Sequence, residues 1–231
     1  MQITILTGAG ISAESGLGTF RDREGLWSQV NLEDVATPEG FARDPAKVHA
    51  FYNHRREGLL AACPNAAHEA LARLGRALGR QLILVTQNID DLHERAGSPS
   101  VIHMHGELLS ALCDHCDHRW HREAPMSVED SCTACAKTGG VRPDVVWFGE
   151  MPYRMDEISE HLMKSDLFVA IGTSGQVYPA AGFVAEAKLA GARTIEINLE
   201  QTDHSGMFDR HILGPASKVV PGWVDEVLGQ G

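Results

Sequence analysis

No apolar run in the chain approaches the ~20 residues needed to cross a bilayer, and the start, Met1-Gln2-Ile3-Thr4-Ile5-Leu6, lacks the basic region and cleavage site of a secretory signal. A cytoplasmic protein without a membrane partner is expected. Positive charge is scarce as well: 20 Lys and Arg against 31 Asp and Glu leave a formal net charge of −11. Binding to a phosphate backbone rests on clustered Lys and Arg that release counterions, so no nucleic-acid partner is expected. Internal repeats and low-complexity tracts are absent, and nothing in the composition points to disorder. What remains is an ordinary globular composition, 43% hydrophobic and 22% charged over 231 residues, enough for one good core and a small satellite.

Cysteine is the informative residue. Four of the five fall in two tight pairs, Cys113-Asp114-His115-Cys116 and Cys132-Thr133-Ala134-Cys135, with fifteen residues between them. A zinc ion needs thiolates converging at about 2.3 Å, and a two-residue spacer lets one knuckle present two of them. Cys113, Cys116, Cys132 and Cys135 therefore read as a zinc ribbon holding one structural Zn2+. With four sulfurs in place no coordination position is open for water, so the chemistry must lie elsewhere. In a reducing compartment this leaves Cys63 as a structural thiol.

Around the ribbon the chain reads as an α/β protein. Residues 2 to 7 form a short buried strand that runs into Gly8-Ala9-Gly10-Ile11-Ser12-Ala13, read as a glycine turn opening a helix. Apolar runs at 82 to 85, 167 to 171 and 194 to 197 alternate with helical stretches at 66 to 78 and 180 to 190. The pattern predicts a Rossmann-like, doubly wound parallel sheet interrupted twice. Residues 21–65 form a helical insertion, with Asp44-Pro45 as a helix start and Pro64 beyond its end, and 106–142 hold the ribbon. The sheet domain is then discontinuous, made of 1–20, 66–105 and 143–231, with both insertions in a small lobe across a cleft. Gly8, Gly10 and Ala13 fit G-x-G-x-x-G/A, in which backbone amides approach a pyrophosphate. The match alone is weak. The second strand and acid of a dehydrogenase are missing, since that stretch is the polar Phe20-Arg21-Asp22-Arg23-Glu24-Gly25-Leu26-Trp27.

The block Gly8-Ala9-Gly10-Ile11-Ser12-Ala13-Glu14-Ser15-Gly16-Leu17-Gly18-Thr19-Phe20-Arg21 resembles the signature of the sirtuins, NAD-dependent protein-lysine deacylases. Thr86-Gln87-Asn88-Ile89-Asp90-Asp91-Leu92-His93-Glu94-Arg95-Ala96-Gly97 resembles a second family block, and His105-Gly106 falls where the family keeps its catalytic histidine. Val145-Val146-Trp147-Phe148-Gly149-Glu150, Gly172-Thr173-Ser174, Asn198-Leu199-Glu200 and Gly214-Pro215-Ala216-Ser217 continue the similarity in order over nearly the whole chain. Gly18 departs from the pattern, where proline or arginine is common, as does Asp144, where histidine is frequent.

The resemblance implies NAD as co-substrate and acyl-lysine proteins as substrates, with nicotinamide, free lysine and an acyl-ADP-ribose as products. It assigns His105 as general base on the ribose hydroxyls, Asn88 to the ribose or an ordered water, and Asp90 to the nicotinamide carboxamide. Taken singly, Asp90 could be a helix cap and His105 one buried histidine among the chain's twelve. The cofactor site would further comprise Gly8, Ala9, Gly10, Glu14, Thr19, Phe20, Arg21, Trp27, Gln87, Ile89, Gly172, Thr173, Ser174, Asn198, Leu199, Glu200 and Ala216. Val146, Phe148, Gly149, Glu150 and, from a second segment, Val177 would hold the substrate peptide as an added strand.

Tyr52 and Arg55 stand three apart and share a helix face. They resemble the Y-x-x-R pair of sirtuins that remove succinyl and malonyl groups, and Ala36 matches a position where that class keeps a small residue. A buried carboxylate needs a paired guanidinium, so desuccinylation is expected ahead of deacetylation. A plain deacetylase, a mono-ADP-ribosyltransferase on the same NAD site, a dehydrogenase and a non-catalytic zinc-ribbon module are the competing readings. The first strand beginning at residue 2 leads to the expectation of a minimal, monomeric, bacterial-type enzyme.

Overall fold

The computed structural model describes residues 1–18 and 31–229, so Thr19, Phe20, Arg21 and Trp27 lie outside the described residues. The larger sheet is built from β1 (Ile3–Thr7), β2 (Leu82–Thr86) and β3 (Ile102–His103). Past the smaller sheet of β4 (Gly106–Cys113), β5 (Arg119–His121) and β6 (Val141–Val145), it continues with β7 (Leu167–Ile171), β8 (Arg193–Asn198) and β9 (Arg210–Leu213). The larger sheet has six strands in the order β3-β2-β1-β7-β8-β9, and every pairing in it is parallel. The smaller has three antiparallel strands in the order β5-β4-β6.

Helices cover both faces of the parallel sheet, which is why its strands read as continuous apolar runs. Side chains alternate along each strand, so Ile3, Ile5, Val169 and Ile171 share one core with Leu71, Leu74, Val220 and Trp223, while Leu6, Phe168 and Ala170 share another with Ile158, Leu162, Phe183 and Val184. The helices, in chain order, are α1 (Leu32–Val35), α2 (Pro38–Arg43), α3 (Pro45–Ala61), α4 (Ala66–Leu78), α5 (Leu92–Arg95), α6 (Met155–Met163), α7 (Phe183–Leu189) and α8 (Ala216–Val227). Asp44 caps α3 by accepting the Lys47 N–H at 3.0 Å with Pro45 in the first turn, as the sequence indicated. Asn65 and His68 form a capping box that starts α4.

A third core joins the two insertions. Val35, Phe41, Val48, Phe51, Tyr52 and Leu59 pack with Leu108, Leu109 and Val145 of the smaller sheet and with Trp147 just beyond it. Arg56 reinforces the joint by donating to the Leu108 carbonyl at 3.0 Å. A fourth, smaller cluster of Ala111, Cys113, Met126, Cys132 and Val141 surrounds the cysteine knuckles.

Three expectations need correction. The turn after β1 does not open a helix: Ala9–Ile11 and Ala13–Ser15 are single 3₁₀ turns, too short to supply a helix dipole. Cys63 is exposed, so its thiol packs no core. The stretch at 180 to 190 also divides, into a 3₁₀ turn Ala180–Gly182 followed by α7.

The glycines of the first turn meet the turn after β7. A Cβ on Gly8 would stand 2.8 Å from the Gly172 oxygen, one on Gly10 2.7 Å from the Gly172 Cα, and one on Gly172 2.5 Å from the Ile11 nitrogen. Gly172 also has φ +63, a region costly for a side chain. Gly172→Ala is expected to lower unfolding stability by about 2–4 kcal/mol, read as a fall in the urea midpoint with unchanged slope.

Candidate active site

Strand order reverses direction at the β1/β7 pair: β2 and β3 build outward on one side, β8 and β9 on the other. Such a switch point opens a crevice at the carboxyl ends of the strands. The strand ends and the segments leaving them carry most of the candidate cofactor residues: Gly8, Ala9 and Gly10 after β1, Gln87, Asn88, Ile89 and Asp90 after β2, Gly172, Thr173 and Ser174 after β7, Asn198 as the last residue of β8, and Leu199 and Glu200 beyond it. Ala216 opens α8 directly beyond β9. The loops brace one another. Gly8 N donates to the Ile171 carbonyl at 3.0 Å and Gly10 N to the Gly172 carbonyl at 2.8 Å. Asn198 Nδ2 donates to the Thr173 carbonyl at 2.7 Å. Glu14 accepts the Ser217 N–H at 2.9 Å and its hydroxyl at 2.7 Å, tying the glycine loop to the start of α8.

A directed hydrogen-bond chain sets the acids and amides of the crevice. Asn88 Nδ2 donates to the Gly8 carbonyl at 3.2 Å and to Ser12 Oγ at 3.1 Å, and Ser12 donates onward to Asp90 Oδ2 at 2.9 Å. Both Asn88 amide hydrogens are thereby used, which leaves Oδ1 to accept from a ligand. Asp90 Oδ1 takes the Leu92 N–H at 3.2 Å while also facing Ser12, but the cap position of α5 belongs to Asp91. Burial pushes the Asp90 carboxyl above its ordinary range, and the bonds from Ser12 and Leu92 pull it back. Two donors do not fill a carboxylate's acceptor capacity, and the remaining capacity suits the N–H groups of an amide.

His105 sits between β3 and β4, half-buried. Its Nδ1 lies 3.0 Å from the Gln87 carbonyl, an acceptor only, so Nδ1 carries the proton and Nε2 keeps its lone pair. Burial holds the imidazole below its ordinary pKa, with the Gln87 bond a smaller opposing influence. The ring is therefore neutral at pH 7 and ready to take a proton at Nε2. Its carbonyl accepts the Val146 N–H at 2.9 Å, which brings the Val146, Phe148, Gly149 and Glu150 segment beside it. Phe148 N in turn donates to the Ala36 carbonyl at 2.9 Å, and Phe148 itself is half exposed. Val177 lies in the segment after β7, between exposed Gln176 and exposed Tyr178.

Tyr52 and Arg55 come from α3 toward this same place. Tyr52 is buried, and its hydroxyl accepts the Trp147 Nε1–H at 3.0 Å, so its own proton remains to be donated. The Arg55 guanidinium carbon lies 5.8 Å from the Tyr52 ring centroid and 5.9 Å from that of Phe51. Burial draws the guanidinium below its usual pKa, while the charges of Tyr52 and Asp90 act against that. The last of these couples α3 to the residue expected to hold nicotinamide.

The four paired cysteines converge. Cys113 Sγ lies 3.8 Å from Cys135 Sγ, Cys116 Sγ lies 3.7 Å from Cys132 Sγ, and all four sulfurs fall within 4.8 Å of one another. A tetrahedron of 2.3 Å Zn–S bonds has edges of about 3.8 Å. The sulfurs fit one structural zinc ion. Backbone N–H groups of Ala134 and Cys135 approach Cys132 Sγ at 3.3 and 3.5 Å, which favours its thiolate.

The model of the Sir2 family matches residues 8–179. The chain belongs to the Sir2, or sirtuin, family. It is 56% identical over its full length to an NAD-dependent protein deacylase of Caulobacter vibrioides, covering 98% of that protein. It is 55% identical to one of Leishmania major over 98% of this chain and 95% of the relative. Among solved structures, a Sir2 homologue mutant in complex with ADP-ribose is 40% identical with a TM-score of 0.91, over 99% of this chain and 92% of the other. A Sir2 homologue in complex with NAD is also 40% identical, with a TM-score of 0.90 over 99% and 90% of the two chains.

In this Sir2 chain hydrogen bonds bring Asn88, Asp90 and the glycine loop together, with His105 joined through the Gln87 carbonyl, and likewise Tyr52, Trp147 and Glu150. Leu199 and Glu200 stand exposed at the far side of the crevice, away from that network. Two residues were missed as site members although both lie inside quoted motifs: Ser12, which joins Asn88 to Asp90, and Trp147, which supports Tyr52. A buried serine within an apolar-to-glycine turn was the signal for the first. Trp147 showed none, because its partner is far away in sequence.

Taken as the base that the family resemblance implies, a neutral His105 predicts the pH dependence. The usable form is lost as pH falls through a pKa held below 6.5, so kcat/KM should be flat near pH 7 and fall only on the acid side of that value. His105→Ala should lower the rate about 10²- to 10⁴-fold and remove the acid limb.

Proposed function

We infer that this chain is an NAD-dependent protein deacylase, and we propose that it removes acyl groups with a distal carboxylate, succinyl and malonyl, ahead of acetyl. The deacylase reading rests on Sir2 membership and on relatives of that name. The acyl preference rests on the Tyr52 and Arg55 pair: a hydroxyl whose acceptor side is occupied by Trp147 and a half-buried guanidinium beside it. A carboxylate entering such a pocket finds a donor and a planar charged fork, whereas an acetyl methyl offers neither of them an acceptor.

Bound NAD supplies the electrophilic ribose carbon and, in nicotinamide, the leaving group. We assign the sheet-bearing segments 1–20, 66–105 and 143–231 to binding it, and the lobe segments 21–65 and 106–142 to covering the cleft. Asn88 would accept from a ribose hydroxyl at Oδ1, and Asp90 would accept from the nicotinamide amide. Val146 to Glu150 and the segment around Val177 would hold the peptide through backbone bonds, placing the acyl-lysine against His105. His105 Nε2 would then take the proton of a ribose hydroxyl. Amide oxygen is a weak nucleophile in water, so the fixed orientation and the exclusion of solvent by Trp147 and the α3 face carry much of the rate.

Steady-state kinetics on matched succinyl-lysine and acetyl-lysine peptides tests the preference. The succinyl peptide should have kcat/KM about tenfold or more higher, and Arg55→Met should cut that value about 10- to 100-fold, mainly through KM. A higher kcat/KM for the acetyl peptide, or full desuccinylation by Arg55→Met, would contradict it.

A further inference from the structure

A chain of ion pairs and hydrogen bonds runs from an exposed carboxylate in the cysteine knuckles to the buried Tyr52. Asp114 lies inside the first knuckle, between Cys113 and Cys116, and its N–H is fixed by the Gly140 carbonyl at 2.9 Å. Its Oδ1 stands 3.0 Å from Nε of Arg142, a β6 residue whose side chain is only 6% exposed. Arg142 Nη2 donates to Glu150 Oε1 at 2.7 Å, and Glu150 Oε2 accepts the backbone N–H of Trp147 at 2.8 Å. The Arg142 guanidinium carbon also lies 3.9 Å from the centroid of the Trp147 ring. Trp147 then donates from Nε1 to Tyr52 OH at 3.0 Å.

Geometry gives this chain a direction. An indole has one N–H, aimed in its ring plane, and that plane is held by Arg142 on its face and by Phe41, whose ring lies 5.4 Å away. A phenol that accepts from the indole must turn its own proton elsewhere. The direction in which Tyr52 donates therefore follows from the tilt of Trp147. Arg142 holds that tilt with a planar fork shared between two carboxylates and a ring, a geometry that a lysine ammonium does not reproduce.

We propose that Arg142 is a positioning residue for acyl selection: anchored by Asp114 and Glu150, it fixes the Trp147 ring and so aims the Tyr52 hydroxyl at the carboxylate end of the acyl group. This builds on the reading of Tyr52 and Arg55 as the carboxylate clamp. It makes the metal-bearing lobe a contributor to substrate choice through Asp114, although the metal itself stays away from the reaction.

The test compares kcat and KM on matched succinyl and acetyl peptides for the wild-type chain, Arg142→Lys, Tyr52→Phe and the double variant, with zinc content and thermal melting recorded for each. Arg142→Lys should retain zinc, keep kcat/KM on the acetyl peptide within about threefold, and lower kcat/KM on the succinyl peptide about tenfold through KM. In the Tyr52→Phe background the same change should add little, since the hydroxyl it aims is gone. Equal losses on both peptides, or additive losses in the double variant, would overturn the proposal. If Arg142→Lys loses zinc or melts early, Trp147→Phe decides the matter, since it keeps an aromatic ring but removes the indole donor. It must narrow the succinyl preference, and an unchanged preference overturns the proposal. A wild-type chain with no succinyl preference would sink the clamp reading and this inference with it. A wild-type preference that survives in Arg142→Lys and Trp147→Phe sinks this inference only.

Discussion

The turns leaving β1 and β7 touch backbone to backbone, and the site is arranged around that contact. Gly10 N reaches the Gly172 carbonyl at 2.8 Å and Gly8 N reaches Ile171 at 3.0 Å, in a space where a Cβ on Gly8, Gly10 or Gly172 would overlap its neighbour. Because the contact lies at the switch point of the sheet, it sets the floor of the crevice. It also places Ser12 where one hydroxyl can accept from Asn88 and donate to Asp90. A side chain at any of the three glycines would push the loops apart and shift the three polar residues together.

The small lobe depends on the same economy of contacts. Its two insertions share one core, in which Tyr52 of α3 meets Trp147 beyond β6. The four sulfurs close a knuckle pair at the other end of that sheet. Closed thiolate coordination leaves no position for water, so the metal holds shape. Between the knuckles and Trp147 stands Arg142, in contact with Asp114, Glu150 and the indole ring, so side-chain contacts link the two ends of the lobe.

Much of the fold was legible because it rests on short-range pattern. Apolar runs bounded by turns gave β1, β7 and β8, the Asp44-Pro45 cap gave the start of α3, and the cysteine spacing gave the knuckles. The family resemblance carried Asn88, Asp90 and His105, whose placement the strand ends then make intelligible. What escaped were effects of long-range contact. The glycine pattern implied amides free for a pyrophosphate, but Gly8 and Gly10 spend theirs on the β7 turn, and two 3₁₀ turns replace the helix. The bond from Trp147 to Tyr52 joins residues 95 apart, a separation that no local periodicity encodes. The His105 tautomer was equally hidden, since it follows from one carbonyl eighteen residues back.

As proposed, this crevice joins NAD to an acyl-lysine and moves the acyl group onto the ribose. Mass spectrometry of the small molecules released from NAD and a succinyl-lysine peptide tests it most directly. Nicotinamide and succinyl-ADP-ribose should appear in equal amounts, with the peptide recovered as free lysine. ADP-ribose attached to the peptide or protein, or nicotinamide released with the succinyl group still on lysine, would contradict it.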